Sequence, residues 1–332
     1  MLNRQWQIAE RPLGRPLKDT DFQWAERPAR APEADEVMVR VLYLGFDPAQ
    51  KGWMENLANY MAPTEIGQVM PAFAVGEVVA SKSAGFKPGD KVTGLLGWQD
   101  YATLSAKELT TLPDDAPLAA YLGVLGTTGM TAFFGLYKIG RPFPGDTLVI
   151  TGAAGGTGSI VGQIGKIAGC KVIGIAGGPD KCKWLTEELG FDAAIDYKAG
   201  RVKTQLKEHA PDGIDVLWDN VGGALFNDLL ARLAMHARIV VCGGISRYET
   251  GQMPAGPENY FNLIFQRATM SGFIVLDYVN EWPFAQERII RWIKDGRIRT
   301  RDDVQHGLER APKTLMRLFA GQNFGKQILK VA

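Results

Sequence analysis

The sequence predicts an α/β protein: a β-rich first domain followed by a doubly wound parallel sheet with helices on its faces. Three observations predict it. A glycine-rich turn at Gly152 to Gly158 lies between a buried strand and a helix. Strand and helix patterns alternate from about 122 to 300, the rhythm of a parallel sheet built by crossovers. Residues 1 to about 120 read instead as short strands joined by turns, and the tail from about 303 ends in a strand-like alternation, Gly325 to Val331. The resulting division is 1–122, 123–302 and 303–332, with the last piece returning to the first domain.

In the first domain, Val37, Val39 and Val41 alternate with Met38, Arg40 and Leu42, as in a strand with two unlike faces. Gly76 to Ser81, Lys91 to Leu95 and Tyr101 to Leu104 are further strands. Pro88-Gly89-Asp90 is a turn, because Pro presets the first turn angle and Gly takes a positive φ. The same device, Pro144-Gly145-Asp146, opens the strand before the glycine loop. Ala119 to Tyr137 is nearly free of charge, but its glycines, threonines and short flanks suit buried helices better than a membrane span.

The strand Thr147 to Ile150 runs through Thr151 into the glycine loop. Apolar residues then fall at Ile160, Val161, Ile164, Ile167 and Ala168, the period of one buried helical face. Such a turn lets the backbone approach a pyrophosphate, and the N–H groups at the helix start meet its charge. Ala153 stands at the first position of the G-x-G-x-x-G fingerprint, followed by Gly155 and Gly158. The second strand, Lys171 to Ala176, ends on Gly177-Gly178 and lacks the acidic residue that accepts from a ribose 2′-OH. Room for a 2′-phosphate, with Lys181 to meet it, favours NADP(H) over NAD(H). Asp180 argues the other way, and Lys181 on a solvated first turn is the plainer alternative.

Further strands are expected at Ala193–Ile195, Ile214–Trp218, Arg238–Cys242 and Thr269–Leu276. Ligands on this architecture lie beyond the carboxyl ends of the strands. That makes Asp219 to Gly223, Cys242 to Ser246 and Phe273 to Val275 site candidates on geometry alone.

Net charge is +1, with 37 basic and 36 acidic residues dispersed, so no nucleic-acid-binding face is expected. The 3 cysteines (Cys170, Cys182, Cys242) form no spaced framework, which fits a reducing cytoplasm. The N-terminus lacks the apolar core of a secretion signal.

These features together resemble the medium-chain dehydrogenase/reductase superfamily, most closely its zinc-free leukotriene B4 dehydrogenase/prostaglandin reductase group with curcumin-reductase-like and plant double-bond-reductase relatives. The residues that carry the likeness are Asp47-Pro48, Gly152 to Gly158, Gly165 through Val172, Lys181, Asp196-Tyr197-Lys198, Asp219 to Gly223, Cys242 to Ser246 and Gly321 to Lys326. The resemblance implies a GroES-like catalytic domain beside a Rossmann domain, NADPH as cofactor, and a homodimer meeting along the strand Thr269 to Leu276. It implies that Gly155, Gly156, Thr157 and Gly158 hold the pyrophosphate, and that Gly177, Lys181 and Tyr197 meet the adenosine phosphate end. Asn220, Cys242, Gly243, Gly244, Ile245, Ser246 and Tyr248 would line the cofactor, with Phe273, Ile274, Val275 and Asn323 near the nicotinamide. Relatives often carry Asp-Pro-Tyr-Met-Arg where this chain has Asp47 to Lys51; Lys51 keeps the charge but loses the forked guanidinium.

The first cysteine is Cys170 and the first histidine His209, so no thiolate or imidazole zinc site is expected in the first domain. His209 and His236 are expected in helices of the nucleotide domain, and His306 near a boundary, none with a chemical role. Without a metal, an enolate formed by hydride addition needs hydrogen-bond donors. Tyr60 and Tyr260 are equal candidates, each with the alternative of mere packing at a loop edge. Trp53, Met54, Met61, Met70, Phe73 and Trp98 would form an apolar wall for a flat, unsaturated ligand, unless they are core. The expected activity is NADPH-dependent reduction of the C=C bond of small enones and enals. The alternatives are a zinc-free quinone oxidoreductase and a non-catalytic NADPH-binding protein.

Overall fold

The computed structural model describes residues 1–55, 61–247 and 256–331. The chain divides into two compact units, Met1–Gly123 with Asp302–Ala332, and Val124–Arg301.

The first unit opens with β1 (Leu2–Ile8) and β2 (Phe22–Pro28), an antiparallel pair that the sequence reading did not anticipate. Next come β3 (Glu36–Gly45), β4 (Phe73–Ser81), β5 (Lys91–Leu95), β6 (Tyr101–Ser105) and β7 (Thr110–Thr111). β3 is the centre, pairing antiparallel with both β4 and β6. Val37, Val39 and Val41 are buried in the core, and on the other face Arg40 is exposed and Leu42 half-buried, but Met38 is buried as well. The turn before β5 closes with Asp90 N–H donating to Lys87 O and Gly89 at φ 95°. The Asp90 carboxylate accepts from Lys87 N–H.

The second unit holds β8 (Thr147–Thr151), β9 (Lys171–Ala176), β10 (Ala193–Asp196), β11 (Ile214–Asp219), β12 (Leu233–Val241) and β13 (Thr269–Gly272). They form one parallel sheet in the order β10-β9-β8-β11-β12-β13. The order reverses direction between β8 and β11, the place where such sheets open a crevice for a ligand. Leu148, Val149 and Ile150 are fully buried, as a central strand covered on both faces requires.

Two expectations need correction here. The last strand stops at Gly272, and Val275–Glu281 is a 3-10 helix. Phe273 leaves the sheet edge to set its ring edge-on to Trp218, with centroids 6.1 Å apart, and the chain then turns. His236 lies in β12 and not in a helix. Its φ is 63°, its N–H donates to Gln266 O at 2.6 Å, and the β11–β12 register shifts beside it. The chain bulges at this point, which no helical period could foretell.

After the second unit the chain forms β14 (Asp302–His306) and β15 (Lys326–Lys330). Both join the first unit's sheet, whose order is β14-β15-β3-β4-β5-β7. β14 was missed: in Asp302-Asp303-Val304-Gln305-His306 only Val304 is apolar, so a polar edge strand carries no alternation to read. Among the described residues no helix is long and apolar enough to cross a membrane.

Candidate cofactor and active site

Gly152 leaves β8 at φ 60°, and Gly155 N–H closes the loop onto Gly152 O at 3.0 Å. The helix Gly156–Ile167 follows with Gly155 as its N-cap. A side chain at Gly158 would stand 2.5 Å from Gly152 O and 2.8 Å from Ala153 Cα, so only glycine lets the helix pack this tightly on the strand. Ala153 at the first fingerprint position is fully buried. It fits because its neighbour is Gly174; a Cβ there would come within 3.0 Å of the Ala153 methyl. The N–H groups of Gly156, Thr157 and Gly158 open the helix and have no intrahelical acceptor. A bare backbone with its dipole and donors facing outward fits a pyrophosphate.

Beside it, β9 ends at Ala176, and Gly177-Gly178 lead into the helix Pro179–Glu187. A Cβ at Gly177 would meet the Tyr197 ring at 2.9 Å and its hydroxyl at 3.0 Å, so the exposed phenol of Tyr197 lies over bare backbone. Asp196 is occupied, accepting from Gly178 N–H at 2.8 Å and Lys198 N–H at 2.9 Å. Lys181 stands half-buried on the first turn of that helix, and Asp180 is exposed. The glycine backbone, Tyr197 and Lys181 suit a 2′-phosphate, while Asp180 stands exposed on the same first turn as Lys181.

At the ends of the central strands the side chains are tied to each other. Asp219 is buried and accepts from Thr151 Oγ1 at 2.7 Å, Gly222 N–H at 3.0 Å and Val221 N–H at 3.1 Å. Burial pushes its carboxyl up, against these three bonds. Asn220 donates from Nδ2 to Thr151 O at 2.7 Å and accepts at Oδ1 from the Trp218 indole at 3.0 Å. Asn220 was expected to line the cofactor; both ends of its amide are engaged within the protein. Thr151 was missed as a site residue. Its signal was present as a polar residue closing a buried strand just before the glycine loop.

The loop after β12 is laced to the loop after β11. Cys242 and Gly243 donate N–H to Asp219 O, Ile245 to Asn220 O and Ser246 to Val221 O. Ser246 Oγ also donates to Val221 O at 2.5 Å. Burial pushes the Cys242 thiol up to about 12. Phe273, Ile274 and Val275 are half-buried past the end of β13. The Phe273 ring covers the spot a Gly135 side chain would need and packs edge-on to Trp218.

Other expected residues fall in the first unit or outside the description. Asn323 donates from Nδ2 to Gly325 O at 3.0 Å, fixing the turn before β15. Lys326 is buried, with Nζ 2.6 Å from Asp47 and 3.2 Å from Phe46 O. Tyr60 and Tyr248 lie outside the described residues. Tyr260 is 52% exposed and tilts against Phe261, in a group of exposed apolar side chains with Ile264 and Phe265.

The apolar wall requires correction. Met54, Met70 and Trp98 are fully buried core of the first unit, and Trp53 is buried against Phe73; only Phe73 and Met61 are half-open. Trp98 stacks on Phe22, which lies in the unanticipated β2, and meets Phe46 at a tilt. Lys51 is also core: fully buried, it pairs with Glu55 one turn on and donates to Pro12 O. An ammonium so enclosed is a packing element. His306 lies in the first unit, exposed on β14. Among the described residues no group of three or more His, Cys, Asp or Glu is disposed to hold a metal ion.

A parallel sheet of this order with a glycine cradle at its reversal is the architecture of a dinucleotide-binding domain. Comparison with known proteins agrees. Residues 4–112 match the family described as "N-terminal domain of oxidoreductase", and residues 156–291 the family described as "Zinc-binding dehydrogenase". The chain is 40% identical to the NADPH-dependent curcumin reductase of Escherichia coli K12, over 99% of this chain and 97% of that one. It is 38% identical to the NADP(+)-dependent 2-alkenal reductase of Nicotiana tabacum, over 91% and 90%. The crystal structure of CurA from Vibrio vulnificus in complex with NADPH superposes with a TM-score of 0.94 at 38% identity, covering 99% of each chain. The chain belongs to the medium-chain dehydrogenase/reductase superfamily, in its group of NADP-dependent curcumin, alkenal and prostaglandin reductases. With that membership comes NADPH as cofactor.

Proposed function

We propose that this protein reduces the C=C bond of small α,β-unsaturated ketones and aldehydes. The observation that carries the reading is similarity along the whole chain to reductases of curcumin and of 2-alkenals, whose named substrates share a conjugated carbonyl. NADPH, when bound, would supply the hydride; with hydride on the β-carbon, the electron pair of the former double bond rests on an enolate, which takes its proton at the α-carbon from solvent.

The chain's own residues bind, orient and donate. Gly155, Gly156, Thr157 and Gly158 hold the pyrophosphate, and Gly177, Lys181 and Tyr197 receive the 2′-phosphate end. Cys242 to Ser246, with Tyr248, line the cofactor, and Asn220 holds that lining in place. Phe273, Ile274 and Val275 border the nicotinamide. A tyrosine hydroxyl, from Tyr60 or Tyr260, donates a hydrogen bond to the enolate oxygen. The protein works as a cytoplasmic homodimer, a reading supported by the exposed edge strand β13 and the apolar side chains beside it.

NADPH deuterated at the transferred position tests the reaction. Deuterium on the β-carbon of the saturated product is expected, and deuterium on a carbinol carbon would overturn the reading. Quinone turnover with none of enones or enals would replace it with quinone reduction. Unchanged turnover in both Tyr60→Phe and Tyr260→Phe would remove the tyrosine from the mechanism.

A further inference from the structure

We propose that Thr151 and Asp219 are positioning residues: a buried side-chain clamp that holds the pyrophosphate loop in register with the loops after β11 and β12, so that both ends of the dinucleotide are bound at once. The proposal rests on the cofactor placement given above.

The ladder between β8 and β11 pairs Leu148 with Val216, Val149 with Leu217 and Ile150 with Trp218. It stops there. One residue further, where the two chains diverge into their loops, Thr151 and Asp219 take over with side chains. Thr151 Oγ1 donates its proton to Asp219 at 2.7 Å and accepts from Asn220 N–H at 2.8 Å. Thr151 O accepts the Asn220 amide. One hydroxyl thus serves both neighbours, and Thr151 and Asp219 are 0% and 2% exposed.

Each partner then leads to a different loop. Thr151 continues directly into Gly152 and the pyrophosphate cradle. Asp219 shapes its own loop through Val221 and Gly222 N–H, and its carbonyl receives Cys242 and Gly243 N–H from the loop after β12. The clamp is therefore one side-chain link, beside the Asn220 amide, between the element that grips the pyrophosphate and the loop after β11, to which the loop after β12 is tied through backbone. Loosening it leaves each element formed and lets the distance between them drift. A ligand that touches one element is indifferent to that drift, while a ligand that spans them is not.

The test uses the whole protein and two probes, NADPH and adenosine 2′,5′-bisphosphate, titrated by fluorescence and by competition. Thr151→Val keeps the shape and removes both hydrogen bonds of the hydroxyl. Loss of one buried bond to a charged group is expected to weaken NADPH about tenfold. The bisphosphate should bind as in the parent protein. Thr151→Ser, which keeps the hydroxyl, should restore NADPH binding, and Asp219→Asn should repeat the Val pattern. Equal weakening of both probes by Thr151→Val, or no change in either, would overturn the clamp. If the bisphosphate fails to displace NADPH from the parent protein, the cofactor placement itself is overturned, a different failure from that of the clamp.

Discussion

The ring of Phe191 occupies the space that a side chain of Gly162 would need. The nearest atoms to a Cβ built on Gly162 are three carbons of that ring, which is itself buried. The helix that begins at the pyrophosphate cradle is seated on its sheet by this contact, so the position of the cradle depends on a glycine that touches no ligand.

Gly162→Ala therefore overpacks the helix, and such insertions cost about 1–3 kcal/mol. Urea unfolding should show the loss as a lower midpoint at unchanged slope. Adding Phe191→Leu should recover part of it, because a flexible side chain makes room for the methyl.

Lys181 should discriminate between cofactors. Removing a charge-assisted hydrogen bond to a 2′-phosphate by Lys181→Ala is expected to weaken NADPH roughly tenfold or more while leaving NADH unchanged. Parallel fluorescence titrations with the two nucleotides read this directly, and equal effects on both would remove Lys181 from the phosphate site.

The sheet edge should carry dimerisation. β13 is exposed along its length, and Phe261, Ile264, Phe265 and Met270 are exposed around it. Sedimentation is expected to give twice the chain mass of 36.3 kDa. Met270→Lys places a charge on the edge strand and should yield the single-chain mass, since charge on an edge opposes strand pairing.

Cys170 and Cys242 shape stability at alkaline pH. Burial pushes Cys170 up to about 11 and Cys242 up to about 12, from an ordinary value of 9.0. Between pH 9 and these values the unfolded chain has lost thiol protons that the folded chain keeps, so stability falls as pH rises through that window. Below pH 9 both states hold the protons and the thiols contribute no slope. Cys242→Ala should flatten the fall in urea midpoint between pH 9 and 12, and iodoacetamide at pH 8 should label Cys242 far more slowly in folded than in urea-unfolded protein.

Much of this protein is legible in its sequence because the signals are local. The glycine loop, the buried strands Thr147–Ile150 and Lys171–Ala176 and the turns at Pro88 and Pro144 each depend on residues close in the chain. There, backbone sterics and hydrophobic period decide the outcome whatever surrounds them. A parallel sheet follows from that alternation, and the handedness of crossovers limits the orders it can take.

Tertiary structure alone decided which polar and apolar residues are enclosed against each other. Trp98 and Met70 read like a substrate wall and are core, because β1 and β2, whose patterns are weak, bring Phe22 against Trp98. Lys51 reads like a borrowed arginine and is enclosed with Glu55. Thr151 and Asp219 are 68 residues apart and read as the ends of two strands. Only adjacency in the sheet makes them one hydrogen-bonded unit. Periodicity reports which face of an element is apolar, but the partner that covers that face is chosen by contacts between distant segments, and no local pattern records it.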